Sequence, residues 1–153
     1  DLWVNDYFEQ ECGMIVHREI SFTTEIYGKL FYLAHGDGLG ATDKKYKMLR
    51  RIFHNATCKR LFSALHPRWR AGGDPPYMGE EREDLIRFSK AYLATHADIN
   101  YFIFGHRHIE LDLSLASTAR TLIIGDWISH FSYAVFDGEA LKLERFIEGE
   151  TQP

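Results

Sequence analysis

Three short apolar runs in this chain each break off at a glycine beside a polar side chain, which points to a sheet whose strands end on one shared rim. The runs are Leu30 to Ala34 before His35-Gly36-Asp37, Asn100 to Phe104 before Gly105-His106-Arg107-His108, and Leu122 to Ile124 before Gly125-Asp126-Trp127. Continuous apolar runs of this length read as strands buried on both faces, the kind found in α/β folds. In such folds ligands and metals gather at the carboxyl ends of the strands. Glycine at those ends lets the backbone turn sharply with no Cβ to clash. Three imidazoles on one rim, from His35, His106 and His108, form the donor set of a transition-metal site.

The remaining patterns fill in the elements. Residues 20–26 alternate loosely before the turn at Tyr27-Gly28-Lys29, which predicts a hairpin with Leu30 to Ala34 as its buried second strand. Glu80 to about His96 places Leu85, Ile86, Phe88, Tyr92 and Leu93 at helical spacing, with acids in the first turn. Ile109 to Leu115 alternates strictly and predicts a half-exposed strand. Phe131 to Phe136 and Leu141 to Phe146 are predicted to pair across Asp137-Gly138. At 153 residues, residues 1–153 are expected to form a single domain with a sizeable core. Cys12 and Cys58 make no disulfide framework, and no positively charged start leads into an apolar run, so a cytoplasmic setting is expected.

Charge is distributed unevenly. Between Asp43 and Arg70 stand nine of the eighteen Lys and Arg residues against one acid, while the chain as a whole has net charge −4. Apolar residues at Tyr46, Leu49, Ile52, Phe53, Ala56, Leu61, Phe62 and Leu65 recur every three or four positions, so the segment is predicted to be a cationic amphipathic helix or helix pair. A solvated face is one reading of it, and contact with an anionic substrate or membrane surface is the other. Nucleic acid is not the expected partner, because the chain's overall charge balance is acidic. Asp37, Asp43 and Asp126 lie near the expected rim as ligands, as partners for a histidine, or as caps. His17, His54, His66, His96 and His130 lack such a context and are read as surface or core residues.

His35-Gly36-Asp37 and Gly105-His106-Arg107-His108 resemble the last two metal motifs of the calcineurin-like metallophosphoesterases. The closer resemblance is to the UDP-2,3-diacylglucosamine pyrophosphatases of lipid A biosynthesis, through Thr42-Asp43, Tyr46, Arg50-Arg51, His54-Asn55, Lys59-Arg60-Leu61-Phe62 and the Gly125-Asp126-Trp127 step. The resemblance covers essentially the whole chain. It implies the C-terminal part of an α/β sandwich with a basic helical insertion or lid at roughly 43–79. It also implies that His35 and His106 bind one metal and His108 the other, with Asp43, Tyr46, Arg50 and Arg51 near the substrate head group. The implied cofactor is a pair of manganese ions, and the implied reaction releases UMP and a diacylated sugar 1-phosphate. The implied setting is the cytoplasmic side of a Gram-negative inner membrane, peripheral to its anionic surface. The family's first three motifs (Asp-X-His, Gly-Asp, Gly-Asn-His/Arg-Asp) precede the region matched here, and Asp1-Leu2-Trp3 looks like the end of the third. These 153 residues alone are therefore expected to hold at most one ion, weakly, and to be inactive. The alternatives are hydrolysis of another phosphodiester, or a scaffold of the same fold without catalysis.

Overall fold

A computed structural model describes residues 6–39 and 76–148. After a short helix α1 (Tyr7–Gln10), strands β1 (Ser21–Ile26) and β2 (Lys29–Ala34) form an antiparallel hairpin. Helix α2 (Asp84–Leu93) leads into β3 (Ile99–Phe104), followed by β4 (Glu110–Ser114), β5 (Arg120–Ile124), β6 (Ser132–Phe136) and β7 (Leu141–Arg145). Five strands make one mixed sheet in the order β1-β2-β3-β5-β4. The central trio β2, β3 and β5 is parallel, and the edges β1 and β4 are antiparallel. Strands β6 and β7 form a separate hairpin. The architecture is α/β, as the apolar runs predict.

Alternation along the central strands builds two cores, because successive side chains point to opposite faces. Tyr32, Phe102, Phe104 and Ile123 face α2, which packs Leu85, Phe88, Tyr92 and Leu93 against them. Phe31, Tyr101 and Leu122 point the other way, onto Leu141, Ala134, Phe136 and Leu143 of the hairpin. Phe102, Phe104, Leu122 and Ile123 are wholly buried. Each such side chain contributes roughly 2–3 kcal/mol relative to leaving it in water. The hairpin is also tied on by polar contacts. Ser132 Oγ donates to the Ile124 carbonyl at 2.6 Å, and Arg120 Nη1 donates to the Leu141 carbonyl at 3.0 Å.

Two predicted elements differ in detail. The helix expected from Glu80 to about His96 runs only from Asp84 to Leu93. Glu83 is extended (φ −83°, ψ 110°), and residues 80–82 form a turn that Lys90 Nζ fastens through Glu80 at 2.9 Å. Strands β6 and β7 each fall one residue short of the expected 131–136 and 141–146, and the four residues between them close the hairpin with Phe136 opposite Leu141. Asp137 Oδ1 accepts the amides of Glu139 (2.9 Å) and Ala140 (2.8 Å), so a side chain organises that turn. The cationic segment, with Asp43, Tyr46, Arg50 and Arg51 and most of the expected 43–79 lid, lies outside the described residues.

Candidate metal centre

The parallel trio delivers its carboxyl ends side by side. Ala34 pairs with Phe104 across β2 and β3, and Phe104 with Ile123 across β3 and β5. The next residues are therefore His35, then Gly105-His106, then Ile124-Gly125-Asp126. His35 and His106 meet, with ring centroids 5.3 Å apart and planes at 68°. His35 packs over Gly105, where a Cβ would lie 3.4 Å from His35 Nδ1, an ordinary contact. Gly36 (φ +110°) is wedged between α2 and the same loop, where a Cβ would lie 3.2 Å from Leu85 Cδ1 and 3.3 Å from His106 Cβ.

Burial pushes the His35 imidazole down to about 4, and the charges of His106 and His108 push the same way while Asp37 opposes them. The ring is therefore neutral near pH 7, the form in which an imidazole nitrogen can coordinate a metal. A metal held by imidazole sits about 2 Å from each donor nitrogen. Imidazoles spaced like His35 and His106 are thus close enough to reach one divalent ion between them.

His108 is placed differently. In extended backbone, histidines two residues apart would point the same way, as the Gly-His-X-His spacing suggests. The backbone instead turns at His106, which takes φ +61°, and Arg107 N donates to the Gly105 carbonyl at 2.7 Å. His106 consequently lies against His35, while His108 Nδ1 stands 3.9 Å from Asp126 Oδ2. Among the described residues no group of three or more His, Cys, Asp or Glu side chains is arranged to hold a metal ion.

At the β5 end the alternatives left open for Asp126 resolve into two roles at once. Its Oδ1 accepts the amides of Ile128 (2.7 Å) and Ser129 (2.6 Å), capping the turn that follows Gly125. Its Oδ2 lies 3.0 Å from His130 Nδ1. These bonds, led by the Ser129 amide, hold the carboxyl well below the usual carboxylate range, so it is anionic throughout the physiological window. His130, read from sequence as ordinary surface or core, thus belongs to the rim. The available signal was the Asp126-Trp127-Ile128-Ser129 pattern of a side-chain-capped turn. Glu83 and Arg107 were not singled out either. Glu83 is buried and pairs with Arg107 across 24 residues.

No protein-family model matches the chain. A protein of Porphyromonas gingivalis (strain ATCC BAA-308 / W83) named UDP-2,3-diacylglucosamine hydrolase is 39% identical over 170 residues, taking in 94% of this chain and 64% of that protein. Proteins of the same name from Serratia proteamaculans (strain 568) and Haemophilus influenzae (strain ATCC 51907 / DSM 11121 / KW20 / Rd) are 26% and 25% identical. Those matches take in 95% and 86% of this chain, and 66% and 59% of the relatives. The chain spans somewhat less than two thirds of the length of the curated relatives it matches.

Proposed function

We propose, on the premise that this chain is a homologue of the proteins named UDP-2,3-diacylglucosamine hydrolase, that it carries part of the active site of a metal-dependent hydrolase acting on the diphosphate of UDP-2,3-diacylglucosamine. The products on this reading are UMP and the 1-phosphate of the diacylated sugar. The observation that supports it most directly is the pairing of His35 with His106 at 5.3 Å, from strand ends separated by about seventy residues. Two imidazoles brought together this way, one of them kept neutral by burial, are a poor arrangement for a fold that does not need them.

His35 and His106 then hold one divalent ion, manganese on this reading, and His108 serves the second. When bound, the two ions polarise the phosphoryl oxygens and neutralise the charge that builds on them during attack at phosphorus. Asp126 supplies permanent negative charge 3.9 Å from His108 Nδ1, which favours a cation there. Asp43, Tyr46, Arg50 and Arg51 lie outside the described residues and are assigned to the nucleotide-linked head group. The cationic segment around them is assigned to the diphosphate and to an anionic membrane surface. Among the described residues the donors do not complete a two-metal site.

The test is hydrolysis of UDP-2,3-diacylglucosamine by the full-length protein with manganese. UMP release that His35→Ala and His106→Ala each reduce at least 100-fold supports the reading. Absence of UMP release, with hydrolysis of nucleotide diesters instead, moves the protein to another phosphodiester. Retention of full activity by both variants removes these histidines from the site.

A further inference from the structure

The residue between the two histidines has its own fixed partner. Arg107 Nε lies 3.3 Å from both carboxylate oxygens of Glu83, and its Nη2 lies 3.3 Å from Oε2. The two side chains are only 16% and 6% exposed. Glu83 stands at the N-cap of α2, where a carboxylate ordinarily bonds to the first free amides of its own helix. It makes no such bond, and the carboxylate is turned to Arg107 instead. A buried ion pair is weak as a stabilising device, because desolvation offsets much of the attraction. What it does provide is direction, since a planar guanidinium meets a carboxylate in only a few geometries.

The direction bears on His106. Its φ of +61° lies in the left-handed region, which a side chain other than glycine keeps only where its surroundings insist. Three restraints converge there. Gly36 packs close against the His106 Cβ, the Arg107 amide closes a tight turn on Gly105, and the Arg107 side chain is anchored to the start of α2. Glu83 thereby links the helix that covers the sheet to the loop that carries two of the three rim histidines.

We propose that the Glu83–Arg107 pair is the pin that holds His106 in its left-handed conformation beside His35, making both of its members positioning residues for the metal donors. The inference rests on the reading of His35 and His106 as ligands of one ion. Without the pin the 105–108 loop has other conformations to occupy, and the free protein must select the competent one before it binds an ion.

The test measures Mn2+ affinity of the full-length protein by water-proton relaxation, together with the His106 ring resonances in the metal-free state. Arg107→Lys keeps the charge but loses the fork, and Glu83→Gln/Arg107→Met replaces the buried charges while filling the space, so both should fold. Each is expected to bind Mn2+ about tenfold or more weakly than the parent, with shifted His106 resonances and unchanged circular dichroism. Parent-like affinity and unshifted resonances in both variants would overturn the pin. His106→Ala separates the two ideas. If it too binds Mn2+ like the parent, the ligand reading has failed. If it alone loses the ion, the ligands stand and the pin does not.

Discussion

The rim has two neighbouring ends that set their charge in opposite ways. At the β2 and β3 ends, burial keeps the His35 imidazole uncharged. At the β5 end, backbone amides keep the Asp126 carboxylate charged although its side chain is only 8% exposed. The first arrangement uses the cost of desolvating a cation, and the second uses hydrogen bonds aimed at an anion. Together they set a neutral imidazole on the same rim as fixed negative charge, the combination that the proposed divalent cation would need. The ends differ in their glycines too. A Cβ at Gly105 would meet only ordinary contacts, whereas Gly125 is needed for both its backbone (φ +71°) and its space.

That last difference gives the largest expected effect. A Cβ at Gly125 would fall 2.4 Å from Ser132 Oγ, the group that bonds the Ile124 carbonyl. Gly125→Ala therefore combines an overpacked contact with left-handed backbone, for a loss of roughly 2–4 kcal/mol. In a thermal melt this is a drop of about 4–16 °C for a domain of this size. Gly105→Ala meets His35 Nδ1 at 3.4 Å, an ordinary contact, and should stay within about 0.5 kcal/mol of the parent. Equal losses at the two positions would erase the distinction.

Asp126→Asn probes the charged end. The amide oxygen of Asn can keep the turn, but the charge toward His130 and His108 is gone, so a loss of about 1–2 kcal/mol near neutral pH is expected from urea unfolding. Its pH dependence carries a definite sign. A carboxyl held below its usual value near 4 contributes stability above that value and loses it as the pH falls further. The gap between parent and variant should thus persist at pH 5 and close only in stronger acid.

The neutral end answers in a different window. With His35 lowered to about 4 from an ordinary 6.5, the unfolded chain takes up a proton that the folded one refuses. Metal-free protein should lose stability as the pH falls from about 6.5 to about 4, and no further below that on account of this group. His35→Gln, which does not titrate, should flatten the curve over that interval alone. If the parent and His35→Gln curves run parallel from pH 7 to pH 4, burial does not control this imidazole.

These two ends also mark how far sequence could be read. The hairpin of β1 and β2, the burial of β3 and β5, and the covering helix follow from periodicity, because which face a side chain occupies is set by its position in a short repeat. His35 and His106 on one rim follow from where those strands stop. The left-handed turn at His106 does not follow, since residue type constrains φ strongly only for glycine and proline. Nor does Glu83 opposite Arg107, whose pairing depends on how a helix crosses the sheet. Asp126 sat between: its neighbours allowed a cap or a histidine partner, and only three dimensions let it serve as both.

The smallest effect contrasts a second ion pair with the pin. Arg145 Nε donates to Glu110 at 2.7 and 2.9 Å beside the β5 end, in the same forked style as Arg107 with Glu83. Arg145, however, is 64% exposed, and water and salt screen its charge. The Glu110 carboxyl is still lowered, first by its bond to Arg145, so the pair is intact near neutral pH. Arg145→Ala should cost little stability, and most of that small loss should be gone at 1 M salt. The Arg107 variants should hardly respond to salt, because their pair lies beneath the loop. A salt-independent loss at Arg145, or a salt-sensitive one at Arg107, would mean that burial does not divide these two pairs, and the case for Arg107 as a directional anchor would weaken accordingly.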